Sequence, residues 1–182
     1  MQTFFTSDLH FSHKNIIQYS SRPFRDIEEM NEALILNWNS IVGPEDLVYN
    51  LGDVCFGGPE TAPKYLPRLN GRKILILGNH DKPERMAPYF ERIYSYLEIT
   101  IDKQKFVLCH YPFASWNGLM KGFIHLHGHC HGTLVDRSLI HRIDVGVDSW
   151  KYKPVSVKTI LQRTLDWKTN LNKVDHHSLG DS

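Results

Sequence analysis

The sequence predicts an α/β domain, and three observations carry that prediction. The first is the stretch Lys73-Ile74-Leu75-Ile76-Leu77, where four branched apolar residues in a row stop at Gly78-Asn79-His80-Asp81. Such a run reads as a short buried strand, and the ground just past the carboxyl end of a strand is where α/β folds place functional groups. The second is repetition. Phe4-Phe5-Thr6-Ser7-Asp8-Leu9-His10, Leu47-Val48-Tyr49-Asn50-Leu51-Gly52-Asp53, Phe106-Val107-Leu108-Cys109-His110 and Phe123-Ile124-His125-Leu126-His127-Gly128-His129-Cys130-His131 all end in Asp or His. The third is a stripe at helical spacing between the first two runs, formed by Ile27, Met30, Leu34, Trp38 and Ile41, which reads as one buried helix face.

Taken in order, the first strand begins about two residues after Met1, and Phe11 to Ile17 reads as a loop entering a short helix. Asp26 with Glu29 three residues later marks a capped helix start, and Gly43-Pro44 marks its end. The strand Leu47–Leu51 follows, then a short helix from Glu60 to Leu69 broken by Pro63 and Pro67, and an Asn70-Gly71 turn before the central strand. A short helix is expected over Glu84–Phe90. Leu97–Ile101 and Lys105–Cys109 around Asp102-Lys103-Gln104 suggest a β-hairpin. Ile140 to Val147 alternates as a half-buried strand does, and Ser156 can cap a last helix through Trp167. The expected organisation is one domain over residues 1–168 and a flexible tail over 169–182, with His176 and His177 the least ligand-like of the histidines.

A chain of 182 residues, 41% hydrophobic and 23% charged, fits a single soluble domain. A net charge of +1 gives no electrostatic case for nucleic acid or an anionic membrane. No apolar run approaches the ~20 residues of a membrane span, and the early first strand leaves no room for a signal peptide. Cys55, Cys109 and Cys130 are odd in number and lack Cys-x-x-Cys spacing, so a reducing, cytoplasmic setting is expected. Histidine is the anomaly, with eleven in the chain and six between His110 and His141. A single histidine is usually structural; several that each end an apolar run point to a shared metal site.

The order Asp8-x-His10, Gly52-Asp53, Gly78-Asn79-His80-Asp81, His110, Gly128-His129-x-His131 resembles the five-motif signature of the calcineurin-like metallophosphoesterases. The resemblance spans roughly residues 3 to 155 and is closest to the small single-domain members of bacteria and phages. It implies a four-layer α-β-β-α sandwich with two facing mixed sheets. It also implies two divalent ions, manganese first, with iron, zinc or nickel possible for an imidazole, carboxylate and amide donor set without thiolate. In that scheme Asp53 bridges both ions, Asp8, His10 and His131 complete the first, and Asn79, His110 and His129 the second. Asp8 and His10 share parity on an extended chain, as do His129 and His131, so each pair is expected to point one way.

By the same resemblance His80 contacts substrate and protonates the leaving oxygen while Asp81 orients its ring; a helix cap is the other reading of Asp81. His13, Arg22 and Trp116 are candidate substrate contacts, against a capping histidine, a solvated arginine and a core tryptophan. His127 is expected to donate to a backbone carbonyl or carboxylate behind the ligands, and His125 and His141 to be structural. The implied reaction is hydrolysis of a phosphate ester by a hydroxide held between two ions about 3.5–4 Å apart. The expected substrate is a small diester or a nucleotide, in an open groove that tolerates two substituents on phosphorus. A phosphomonoesterase, a nuclease or a non-catalytic metal-binding scaffold are the alternatives. Specificity is expected in the loops around Arg22, Phe56–Pro63 and Trp116.

Overall fold

The apolar runs pair into two sheets. In the computed structural model, which describes residues 1–134 and 141–165, the elements are β1 (Thr3–Thr6), α1 (Ile16–Tyr19), α2 (Ile27–Asn39), β2 (Leu47–Asn50), α3 (Thr61–Tyr65), β3 (Arg72–Ile76), α4 (Pro83–Met86) and β4 (Arg92–Tyr94). They continue as β5 (Leu97–Ile101), β6 (Gln104–Leu108), β7 (Ile124–His127), β8 (Arg142–Asp144) and β9 (Val155–Ser156), then helical residues 157–165, here α5. One sheet runs β4-β3-β2-β1-β9, parallel except for β9; the other runs β5-β6-β7-β8, a hairpin extended by two parallel strands.

The strands of the first sheet are apolar on both faces because both faces are covered. Phe4, Val48 and Leu75 pack with Met30, Leu34 and Trp38 of α2. Their neighbours Phe5, Tyr49 and Ile76 face Phe106, Leu108, Leu126 and Ile143 of the second sheet. Full burial of each large apolar side chain contributes about 1.5–3 kcal/mol, so the α2 stripe read from the sequence fixes that helix against the sheet. Asp26 caps α2 by accepting the Glu29 amide N–H at 2.9 Å, while the Glu29 carboxylate accepts the Arg25 amide at 2.7 Å. On the outer face of the second sheet, Phe113 and Trp116 cover His125.

Register brings the functional ends together. Thr6 lies beside Asn50, and Asn50 beside Leu75, so the residues after β1, β2 and β3 emerge at one edge. Leu108 lies beside Leu126, and Ser7 bridges Gly146, which brings the matching edge of the second sheet alongside. The hairpin turn is two residues and not three: Ile101 pairs with Gln104, and Asp102 and Lys103 both have positive φ, as a tight primed turn requires. Two short edge strands, β4 and β9, carry no sequence pattern long enough to announce them. Among the described residues no helix is long and apolar enough to cross a membrane. Ile140, Trp167 and the tail over 169–182 lie outside the described residues.

Candidate metal centre

The ligand candidates reach one another through tight left-handed turns. Asp8, His10, Asp53, His129 and His131 have φ values of 58, 53, 54, 69 and 48°, where residues with a side chain are strained by about 1–3 kcal/mol each. The parity expectation therefore fails at both motifs: none of these residues is extended, and convergence comes from the turns. Cys130, between His129 and His131, sits in the same turn. Backbone bonds hold the first turn in place, with the amides of Asp8, His10 and Phe11 donating to the carbonyls of Gly52, Asp53 and Val54 at 2.9–3.0 Å. Two glycines permit the close approach. A Cβ on Gly78 would lie 2.2 Å from Asp53 Oδ1, and one on Gly52, at φ +98°, would lie 2.4 Å from Gly78 N.

Two clusters of donor atoms result. Asp8, His10 and His131 offer atoms within 4.8 Å of one another, and so do Asp53, His110 and His129. Asp53 Oδ2 lies between the clusters, 3.7 Å from His10 Nε2 and 3.5 Å from His110 Nε2. Asn79 Oδ1 is 3.1 Å from both His110 Nε2 and His129 Nδ1. The far nitrogens of two rings are engaged elsewhere: His110 Nδ1 lies 2.7 Å from the Leu51 carbonyl and His131 Nδ1 2.7 Å from Asp148 Oδ2. Each is placed to donate a proton outward and leave the other nitrogen's lone pair facing the site. Both ring nitrogens of buried His10 lack a hydrogen-bond partner.

Burial pushes the Asp8 carboxyl up to about 7 and holds the His10 imidazole down at about 2. Burial alone would also raise Asp53, but its interaction with His110 and the His80 amide outweighs it and brings the carboxyl down to about 2. A bare carboxylate at Asp8 and an imidazolium at His10 are thus both disfavoured. Imidazole and carboxylate donors that face one another across 3.5–4.0 Å, with the Asn79 amide oxygen 3.1 Å from two of the rings, suit shared divalent cations. The donor set fits.

Three other candidates, Asp81, Arg22 and Trp116, lie elsewhere than expected. Asp81 neither orients His80 nor caps α4. Its carboxylate turns back to accept the amides of Gly78, Asp53 and Val54 at 2.8–3.0 Å, tying the loop after β3 to the loop after β2. Arg22 is buried, with its guanidinium bound to Asp148 and to the carbonyls of Asp8 and Leu9, so it has no face toward a substrate. Trp116 packs on His125 and donates Nε1–H to the Phe123 carbonyl at 3.0 Å, on the outer face of the second sheet. His13 does reach the site: its ring is 4.0 Å from that of Phe56 and 5.3 Å from that of His10. The His80 ring is 40% exposed, 3.9 Å from Asp53 Oδ2 and against Phe56. His127 Nδ1 lies 2.8 Å from the Gly128 carbonyl, and His125 uses both ring nitrogens on backbone groups. Two residues at the site were absent from the sequence reading, Asp148 and Tyr111. Asp148 had a signal, since it ends the apolar-rich run Ile143-Asp144-Val145-Gly146-Val147 as the other motif residues end theirs.

A family model described as calcineurin-like phosphoesterase matches residues 1–177. The chain is similar to an uncharacterized protein of Methanocaldococcus jannaschii, 39% identical over 163 residues that cover 86% of this chain and 87% of that protein. It is similar to the gene 66 protein of Mycobacterium phage L5, 33% identical over 181 residues, covering 81% of this chain and 87% of that one. Among solved structures, a protein of unknown function from Aquifex aeolicus matches with a TM-score of 0.74 at 29% identity, covering 88% of this chain and 98% of that chain.

Proposed function

This chain belongs to the calcineurin-like phosphoesterase family, a family of metal-dependent phosphoester hydrolases, and on that premise we propose that it hydrolyses phosphodiesters at a centre of two divalent ions. The observation that carries the reading is the Asp53 carboxylate, one oxygen of which faces His10 of one donor cluster and His110 of the other at 3.7 and 3.5 Å. Asp53 is the shared ligand in this reading. Asp8, His10 and His131 complete one ion, and Asn79, His110 and His129 the other. The chemistry that ions held there supply is Lewis-acid stabilisation of phosphoryl oxygens and a water made nucleophilic near neutral pH. Asn79 contributes a neutral oxygen, which keeps its ion electrophilic. Manganese is the first choice, with iron, zinc and nickel compatible with the same donors.

His80 is the residue that moves a proton in this reading. Its backbone N–H is donated to Asp53 Oδ1 at 3.0 Å, which pins the loop, while its half-exposed ring stands at the mouth of the site. In the proposed mechanism the ring protonates the leaving oxygen. His13, beside it, contacts the substrate. Asp81 holds the two loops together and takes no part in the proton transfer.

A cleft on one side of the centre and an exposed aromatic ring on the other favour a diester. Beyond Asn79 and His80 a cleft of about 380 Å³ opens, lined by Phe56, Lys82, Arg85 and Met86. On the other side Tyr111, 45% exposed, lies against His129 and His110 at 4.8 and 5.1 Å between ring centroids. Arg22, the cation that would otherwise meet the second charge of a monoester, is committed to Asp148. A small ester or nucleotide with a planar group on either side of phosphorus suits this site. The reading includes a cytoplasmic setting, which the free thiols of Cys55, Cys109 and Cys130 suit.

The test is turnover of bis(4-nitrophenyl) phosphate and 4-nitrophenyl phosphate by chelator-stripped protein with and without added Mn²⁺. Metal-dependent hydrolysis faster on the diester is expected. Activity that ignores the metal would overturn the proposal, and a preference for the monoester would overturn its diester part.

A further inference from the structure

We infer that Arg22 and Asp148 form a buried clamp that positions two of the three residues of one donor cluster, Asp8 and His131, and so governs the occupancy of that ion site alone. The inference rests on the two-ion reading above. Arg22 Nε and Nη2 donate to the two carboxylate oxygens of Asp148 at 2.8 and 2.9 Å, a bidentate pair whose arginine side chain is fully enclosed. The rest of the guanidinium is spent on the strained first turn, with Nη2 donating to the Asp8 carbonyl at 2.7 Å and Nη1 to the Leu9 carbonyl at 3.0 Å. Asp148 spends its remaining capacity on His131, whose Nδ1 lies 2.7 Å from the oxygen that Arg22 Nη2 also holds.

The chemistry follows from this arrangement. A carboxylate accepts and cannot donate, so Asp148 fixes the proton of neutral His131 on Nδ1 and leaves the Nε2 lone pair for a metal. A planar guanidinium bound bidentately sets the plane of that carboxylate, and through it the plane of the imidazole. The same guanidinium pins the backbone on which Asp8 turns at φ 58°. Asp53, Asn79, His110 and His129 touch neither residue of this pair; His129 meets it only through the Asp8 carboxylate, which accepts its backbone N–H at 3.0–3.1 Å, and the His110 ring is oriented by the Leu51 carbonyl. Arg22 and Asp148 are positioning residues for one ion, and their loss should separate the two sites.

The experiment uses Mn²⁺ on the full chain. Equilibrium dialysis and electron paramagnetic resonance are run on wild type, Asp148→Asn, and the double variant Arg22→Met with Asp148→Leu, which removes both charges together and avoids stranding either. Wild type should bind two ions with a spin-coupled spectrum. In both variants one ion should keep its affinity and the other should weaken about 10–100-fold, with the coupled spectrum replaced by that of isolated Mn²⁺. In ¹⁵N spectra of the metal-free protein, His131 should shift from the Nδ1–H toward the Nε2–H tautomer in the double variant. Equal weakening of both ions, or two ions at wild-type affinity, would overturn the clamp. A wild-type protein that takes one ion would overturn the two-ion reading before any variant is compared.

Discussion

Replacing Asp53 by asparagine removes one charge with little change of shape, and the structure dictates which way the amide faces. Asp53 Oδ1 accepts the His80 amide N–H at 3.0 Å, so the asparagine carbonyl must sit there. Its NH₂ then occupies the Oδ2 position, aimed between His10 Nε2 and His110 Nε2 at 3.7 and 3.5 Å. Two N–H groups would point at the place where, in the proposed two-ion centre, both ions need a lone pair. Rotating the amide sets its NH₂ against the His80 N–H and leaves a buried donor unsatisfied, at a cost of about 1–3 kcal/mol. Residues one bond behind a ligand already change metal affinity about 10–100-fold. A ligand shared by two ions must exceed that, so each ion should weaken by at least about 100-fold, and turnover should collapse. The assay is Mn²⁺ titration against a competing chelator, with circular dichroism to establish folding and bis(4-nitrophenyl) phosphate for activity. Selective loss of one ion would make Asp53 a terminal ligand, and retention of both would refute the reasoning outright.

The other predictions address residues around that carboxylate and one far from it. Asp81→Asn should lower stability by about 1–3 kcal/mol, since one of its three amide partners loses an acceptor, yet leave both ions bound; urea unfolding and metal analysis separate the two, and loss of metal at unchanged stability would refute the role given to Asp81. His80→Ala should slow an ester with an alkoxide leaving group by roughly 10²–10⁴ and a nitrophenyl ester far less, because nitrophenolate leaves without a proton; equal losses across a series of leaving groups would rule out proton transfer. His125 is buried and its pKa is held at about 4 by desolvation. The folded state thus resists a charge that the unfolded chain takes up near 6.5. Its contribution is complete above pH 6.5 and is lost as pH falls toward 4, about 3 kcal/mol in all at 1.36 kcal/mol per unit. Urea unfolding across that window should show a steeper slope in wild type than in His125→Gln, with buried His10 contributing to both, and identical slopes would refute it.

The residues of the site were legible as types and their geometry was not. Asp or His after an apolar run can be read one run at a time, because a strand and its carboxyl end are local. How Asp8 and His10 converge cannot, since their left-handed backbone is imposed by bonds to Gly52 and Asp53 more than forty residues away. Arg22 looked like a phosphate ligand because its partner Asp148 stands 126 positions later. Asp81 looked like a partner of its neighbour His80 because adjacency is visible in sequence and a reversal of the chain at Gly78 is not. In the fold, long apolar runs and the capped α2 were plain. The strands β4 and β9, three and two residues long, offer no periodicity to detect, and the Asp102-Lys103 turn lacks the glycine that usually marks its type.

The glycines and the arginine together indicate where this enzyme's selectivity must reside. Gly52 and Gly78 let two strand ends touch, and that contact sets the position of Asp53. Arg22 and Asp148 are spent behind His131. The candidate centre is thus braced by contacts from within the protein, which take no part in choosing among esters. What faces outward around it is aromatic: Phe56 and His13 on the side of His80, and Tyr111 on the side of His129. Ring faces discriminate by shape and stacking, and weakly by charge. Lys82 and Arg85 stand farther out along the cleft beside Phe56. Changes at Phe56 or Tyr111 should accordingly move KM between aryl and alkyl diesters with metal content unaltered, whereas changes at the ligands should remove activity toward all of them alike.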